Sequence, residues 1–229
     1  KMLIKDVRDK GVFVQGVFRS NMAIISLSVA TNAYGAVGTS VGAVYMGILT
    51  ILYNILSIIT LSRTSQSKGL SAQSRDIIIK IFQNPLIIAL VSAFMYKGVG
   101  LPLPPTPIAK TGELLSNIAL PLALICAGAT LDIKSMLGLS GVSMQASIGR
   151  IIVAPLLAVG VGVAFALPPV QFGVLFVMVA SPAAAASYVM AKAMGSNDVL
   201  AANILAFTTV VSMIGMAVGM AWLRVLGWV

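Results

Sequence analysis

Long apolar runs, separated by short polar or Gly/Pro-rich breaks, dominate the chain. Judged against the roughly 20 residues a helix needs to cross a bilayer, they predict seven spans, at 17–34, 39–61, 85–99, 108–131, 143–167, 172–194 and 199–223. Gly35 to Gly38 reads as a tight turn between the first two. Residues 62–84, rich in Ser and Gln with Arg63, Lys68, Arg75 and Lys80, read as a linker between two halves. Pro85 opens a helix at the position where a missing N–H does no harm. The run LPLPPTP at 101–107 is a stiff external loop. Residues 1–17 are charged and amphipathic, and are expected to form a cytoplasmic connector or interfacial helix. They lack the apolar core and small-residue cleavage site of a signal peptide.

The run at 172–194 is interrupted. Ser181-Pro182 sits in its middle, and proline removes a backbone donor and clashes with the preceding turn. The freed N–H and C=O groups must face protein or a wet cavity, never lipid. A broken helix at mid-membrane is a common design of a transporter substrate site, because half-helix ends present partial charges. A proline kink in an ordinary packed helix is the competing reading, and this stretch alone leaves both open.

Composition narrows the class. The 229 residues are 59% hydrophobic and 9% charged, which excludes a soluble domain and gives an all-α polytopic membrane protein. A lone cysteine, Cys126, excludes a disulfide framework, and the absence of histidine removes the commonest general base and metal ligand. No cofactor, no metal and no catalytic residue is expected. The net charge of +9 is explained by the positive-inside rule rather than by nucleic acid. With residues 1–20 and 62–84 cytoplasmic, twelve Lys and Arg fall on the inner side, Arg19, Arg150 and Lys192 among them. Only Lys97, Lys110 and Arg224 fall outside, and the C-terminus is then external.

The runs at 17–61 and 172–223 share an organisation: a polar-marked apolar span, a short Gly turn and a closing span. At an offset of 160 residues, Ser181, Tyr188 and Lys192 fall on Asn21, Ser28 and Asn32, and Gly195 falls on Gly35. The charge count runs the two elements in opposite directions, as an inverted repeat requires. Five spans follow residue 84 and two precede it. A five-plus-five design therefore predicts a ten-span protein whose first three spans lie before Lys1. On this reading 1–61 ends the first repeat, 62–84 links, and 85–229 is the second repeat with its crossover at 172–194.

The stretches FRSNMAIISLSVATNAYG (18–35), NPLIIAL (84–90), ALPLALICAGATL (119–131) and SPAAAASYVMAKAMG (181–195) resemble the auxin efflux carrier family. That family is related to bile-acid/sodium symporters. The resemblance covers essentially the whole chain. It implies a scaffold and a moving transport domain, two crossing broken helices, and carriage of small organic anions such as malate or malonate in a bacterial inner membrane. The family's first crossover breaks at a proline, and Ser28 stands at that position here. A sodium- or proton-coupled symporter of the bile-acid type is the alternative.

The expected substrate site lies where half-helix N-termini offer unpaired N–H groups and about half a positive charge to a carboxylate. Asn21, Ser28, Asn32, Asn117, Ser181, Pro182, Ser187 and Tyr188 are the candidate site residues. Asn21, Ser28 and Asn32 share one helical face by spacing. For each, the competing reading is a polar residue joining packed helices, worth only about 0.6–2 kcal/mol. Asn54 and Asn203 are expected to be such packing residues. Arg150 is expected to snorkel to the inner surface, and Lys192 to be an inner-surface charge. Glu113 is the only carboxylate placed inside a span, so ion coupling has thin support. The expected partners are a small organic anion and the lipid bilayer, with no nucleic acid; a homodimer is compatible with the sequence.

Overall fold

A computed structural model describes residues 4, 6–62, 79, 83, 85–102, 105–129 and 141–229. At 62, 85–87, 89–90, 116–117, 119–121 and 123–129 the backbone alone is described. Most of the expected linker at 62–84, and residues 130–140 between the spans expected at 108–131 and 143–167, lie outside the described residues. The rest is helical, with one isolated antiparallel bridge, Ser20 to Ala183.

Helix α1 (Val7–Phe18) is followed by an extended step, a π-helical turn (Met22–Ser26) and the long α2 (Leu27–Ser62). Gly35 interrupts α2 with φ 60° and ψ −142°, which only glycine adopts without strain, so the expected turn between the first two apolar runs is a sharp kink. Then come α3 (Pro85–Gly98) and α4 (Thr106–Ala129). Helix α5 (Gly141–Ile148) passes through a π-helical turn (Gly149–Val153) into α6 (Ala154–Ala164). Helices α7 (Pro169–Ala180) and α8 (Ala185–Ala193) are the two halves of the broken run, and α9 (Asp198–Val225) closes the chain. Met22–Leu61, Gly141–Ala164 and Asp198–Val225 are each long and apolar enough to cross a membrane.

The first break corrects the sequence reading. The helix is continuous through Ser28, whose hydroxyl donates to the Ile24 carbonyl one turn back at 2.8 Å and so satisfies itself without opening the helix. The interruption lies at Arg19 to Asn21, where Arg19 has φ −84° and ψ 98°. Residues 7–18, expected as a connector or interfacial helix, form the helix that leads into this break. Gly11, Val12, Gln15 and Gly16 of α1 are buried. The second break is where proline put it. Ser181, with φ −63° and ψ 157°, takes the extended conformation that a following proline imposes.

Three apolar clusters hold the crossing. Val12, Leu61, Ala146, Leu200 and Ile204 pack α1, α2, α5 and α9 around α8. Ile25, Phe172, Phe176, Val177 and Met216 pack α7 and α9 against the π-helical turn. Met22, Ala30, Val174 and Met178 seal the start of α2 onto α7. Large apolar side chains such as Ile48, Leu52, Ile214 and Val218 point outward, as a lipid-facing surface requires.

Candidate functional site

The two breaks meet. The Asn21 N–H donates to the Pro182 carbonyl at 2.8 Å, and the Ala184 N–H donates to the Arg19 carbonyl at 3.0 Å. This two-bond antiparallel bridge shows that the two broken helices run past each other in opposite directions. The offset of 160 residues placed Asn21 on Ser181; Ser181 is extended, whereas Asn21, at the first break, has φ −83° and ψ 65°. It also placed Gly35 on Gly195, and both take positive φ, 60° and 68°. A third bond fixes the second break: the Ala183 N–H donates to the buried Thr208 hydroxyl of α9 at 3.2 Å.

Four half-helix ends converge here, two of each sign. The N-termini at Met22 and Ala185 follow Asn21 and Ala184, neither of which caps its helix with a side-chain hydrogen bond. The first N–H groups of a helix have no intrahelical partner. Both ends open on one cavity of about 210 Å³, lined by residues 20–24 and 184–186 together with Arg19, Thr50 and Tyr53. A second cavity, of about 330 Å³, lies between the start of α2 and the end of α9; like the first it is mostly apolar in lining, with one arginine, Arg224, on its wall.

Arg19 is the one charged residue among those that line the first cavity. It is 5% exposed. Its Nη2 donates to Asn54 Oδ1 at 2.7 Å, and Nη1 to Ser57 Oγ at 2.9 Å and to the Met190 sulfur at 2.7 Å. Asn54 and Ser57 are fully buried on α2, so Asn54, expected to be a packing residue, positions the guanidinium instead. Tyr53 closes one wall, with its ring 5.6 Å from Phe18 and its hydroxyl 3.5 Å from Ser20 Oγ.

The C-termini at Phe18 and Ala180 meet a second arginine. Arg150, fully buried, donates from Nε and Nη2 to the Ser181 carbonyl at 2.8 and 2.7 Å. Its Nη1 donates to the carbonyls of Val17 at 3.0 Å and Phe18 at 3.2 Å, and Nη2 also reaches the Val179 carbonyl. This corrects the expectation of snorkelling. The π-helical turn at 149–153 aims the side chain inward, and unpaired helix-end carbonyls are a better partner for a guanidinium than the distant surface. Among the described residues neither arginine faces a carboxylate.

The candidate residues divide accordingly. Asn21 is buried and lines the cavity. Ser181 and Pro182 form the second break, fully buried, and contribute carbonyls rather than side chains. Ser187 is buried two residues into α8 with its hydroxyl unpartnered by protein. Tyr188 packs on the first apolar cluster, with the Lys192 amine 5.9 Å from its ring centroid. Ser28 and Asn32 are not at the cavity: Asn32 is exposed and donates to the Ser28 carbonyl at 2.9 Å. The π-helical turn after Asn21 shifts the helical phase, so the spacing that aligned the three does not hold. Asn117 lies on α4, its side chain outside the described residues. Sequence reasoning missed both arginines as site residues. The signal was present, since a charge inside an apolar span is functional by default.

A family described as membrane transport protein, that of the auxin efflux carriers, has a sequence model that matches residues 2–220. No curated protein and no solved structure matches the chain. The match covers nearly all of the 229 residues. The chain is an integral membrane protein and belongs to this family of membrane transporters.

Proposed function

We propose that the chain carries small organic anions, dicarboxylates or auxin-like carboxylates, by alternating access around the crossing of its two broken helices. The observation that carries this reading is the cavity with two uncapped helix N-termini and a buried arginine on its walls. Each N-terminus presents about half a positive charge, and the guanidinium adds a planar fork matched to a carboxylate. At about 210 Å³ the space suits an anion of a few carbon atoms.

The ten-span inverted repeat, with 1–61 closing its first half and 85–229 forming its second, is the architecture that accounts for two crossovers running in opposite directions. Moving Arg19 and Arg150 from the inner surface into the crossing leaves ten inner charges against three outer ones, which still favours cytoplasmic 62–84 and an external C-terminus. For an anion leaving a cell, the potential contributes about 2.3 kcal/mol per charge per 100 mV.

The test is uptake of labelled malate, malonate and an indole carboxylate by proteoliposomes under an imposed potential of either sign. Movement of one anion that follows the potential supports the reading. Movement that appears only after a sodium or proton gradient is added replaces it with the coupled-symporter alternative.

A further inference from the structure

We propose that Arg150 is a built-in cation, filling the carbonyl site at the crossing where a cation-coupled carrier would bind its ion. Anion transport by this protein is thereby independent of any coupling cation. The inference rests on the anion-carrier reading for its transport consequence, but not for the binding claim itself.

The electrostatics of the crossing set the requirement. Helices α1 and α7 both end there, and each C-terminus carries about half a negative charge and several carbonyls without intrahelical partners. Two such ends in a low-dielectric interior sum to about one negative charge. Broken-helix carriers commonly meet this demand with a mobile ion bound by half-helix C-termini and unwound carbonyls. Here the oxygens of Val17, Phe18, Val179 and Ser181, two from each crossing element, are all engaged by one guanidinium. All three of its nitrogens donate. The side chain has no exposed surface through which an ion could displace it. One fixed positive charge matches one negative charge, and it travels with the protein whether or not substrate is bound.

Arg150 also ties the two elements together, in addition to the bridge bonds. Its Nη1 holds the end of α1, while Nε and Nη2 hold the end of α7. Removing it leaves a polar void ringed by carbonyls, a site for a small planar cation. Lysine keeps the charge but reaches fewer carbonyls at once, because an ammonium lacks the fork.

The experiment compares wild type with Arg150→Ala in two readouts, each at fixed ionic strength in sodium, potassium, N-methylglucamine or guanidinium chloride at millimolar concentrations. The first is thermal unfolding of the purified protein in detergent. The midpoint of wild type is expected to be the same in all four. That of Arg150→Ala is expected to fall, and to be raised by guanidinium but not by N-methylglucamine. The second is malate uptake. Wild type is expected to be indifferent to the cation. Arg150→Ala is expected to lose about tenfold or more, the scale of one charge-assisted hydrogen bond, and to regain uptake with guanidinium. Arg150→Lys is expected to stay cation-indifferent at reduced rate. If Arg150→Ala yields no folded protein, Arg150→Gln, which fills more of the void, takes its place with the same expectations. Wild-type uptake that requires sodium overturns the proposal, as does an alanine or glutamine variant whose midpoint ignores guanidinium. If wild type moves none of malate, malonate and an indole carboxylate, the anion reading fails on its own, and the unfolding readout still decides the role of Arg150.

Discussion

Replacing Arg19 by glutamine removes the cationic wall of the cavity and keeps a polar side chain, which stops short of the Nη positions that bond Asn54 and Ser57. Two unit charges 4 Å apart attract by about 4 kcal/mol at the effective dielectric of a protein near its surface. Truncating one member of a buried, hydrogen-bonded charge pair costs about 2–5 kcal/mol in measured complexes. The two helix N-termini stay, and each contributes only about 0.3–1 kcal/mol, or up to about 2 when partly buried. Arg19 therefore outweighs them, yet binding is not abolished. The lower bound, about 2 kcal/mol, is a rise of roughly 30-fold in Kd, since about 1.4 kcal/mol is a factor of ten. The assay is binding and uptake of labelled malate by reconstituted protein, with size exclusion in detergent to show that the variant is folded. Asn54→Leu gives a graded companion. It removes the 2.7 Å bond that holds Nη2, one of three contacts on the guanidinium, and a roughly tenfold weakening is expected. A folded Arg19→Gln variant with less than about a threefold change in Kd, well below the roughly 30-fold bound, refutes the assignment of Arg19 to the substrate.

Ser181→Leu forces an isobutyl group into a fully buried position at the second break and pushes its carbonyl off Arg150. Transport is expected to fall with little change in membrane insertion, and an unchanged uptake rate at normal expression would sink the crossover reading. Pro182→Ala tests the same break more gently, since it restores a donor and lets the helix run on. Gly173→Ala in α7 puts a methyl where the Tyr34 hydroxyl lies, with the Tyr34 ring carbons at 2.6 and 3.0 Å. Overpacking of this kind costs about 1–3 kcal/mol. At about 2–4 °C per kcal/mol for a chain of this size, the unfolding midpoint drops by several degrees. Tyr34→Ala in the same chain is expected to recover part of the loss. Thr208→Val keeps the shape of the side chain and removes the acceptor of the Ala183 N–H, a loss of about 1–3 kcal/mol for a buried unsatisfied donor. Its unfolding midpoint checks this, and no change there means that water satisfies the amide instead.

The legible parts of this chain are those in which one residue decides the backbone. Pro182 fixes the second break because a proline leaves its predecessor few conformations, and Ser181 takes the extended one. Gly35 and Gly195 mark the ends of the two crossovers because their φ is positive. The first break lacks such a residue. It forms at Arg19 to Asn21 because partners from distant helices hold it: Pro182 takes the Asn21 N–H, Ala184 gives to the Arg19 carbonyl, and Asn54 and Ser57 draw the Arg19 side chain aside. Those contacts span 35 to 165 positions of sequence, so local pattern holds no trace of them. The same holds for Arg150, where local hydropathy admits either snorkelling or burial. The choice falls to burial because two helix C-termini, one more than 130 positions away, need a cation. The face shared by Asn21, Ser28 and Asn32 failed for a smaller reason, a single π-helical turn at 22–26.

The two arginines divide the crossing by sign. On one side, Met22 and Ala185 begin helices and turn positive ends toward a cavity, where Arg19 adds to them. On the other, Phe18 and Ala180 end helices and turn negative ends toward Arg150, which cancels them. With the negative ends neutralised from within the protein, the positive ends and Arg19 remain without a balancing charge among the described residues. On the proposed reading an anion is the species that balances them, and it enters without any cation alongside. The empty crossing therefore carries net positive charge and the loaded one is closer to neutral. A carrier of this kind returns empty at an electrical cost and crosses loaded at a smaller one, so its empty return is the step on which a membrane potential acts most strongly.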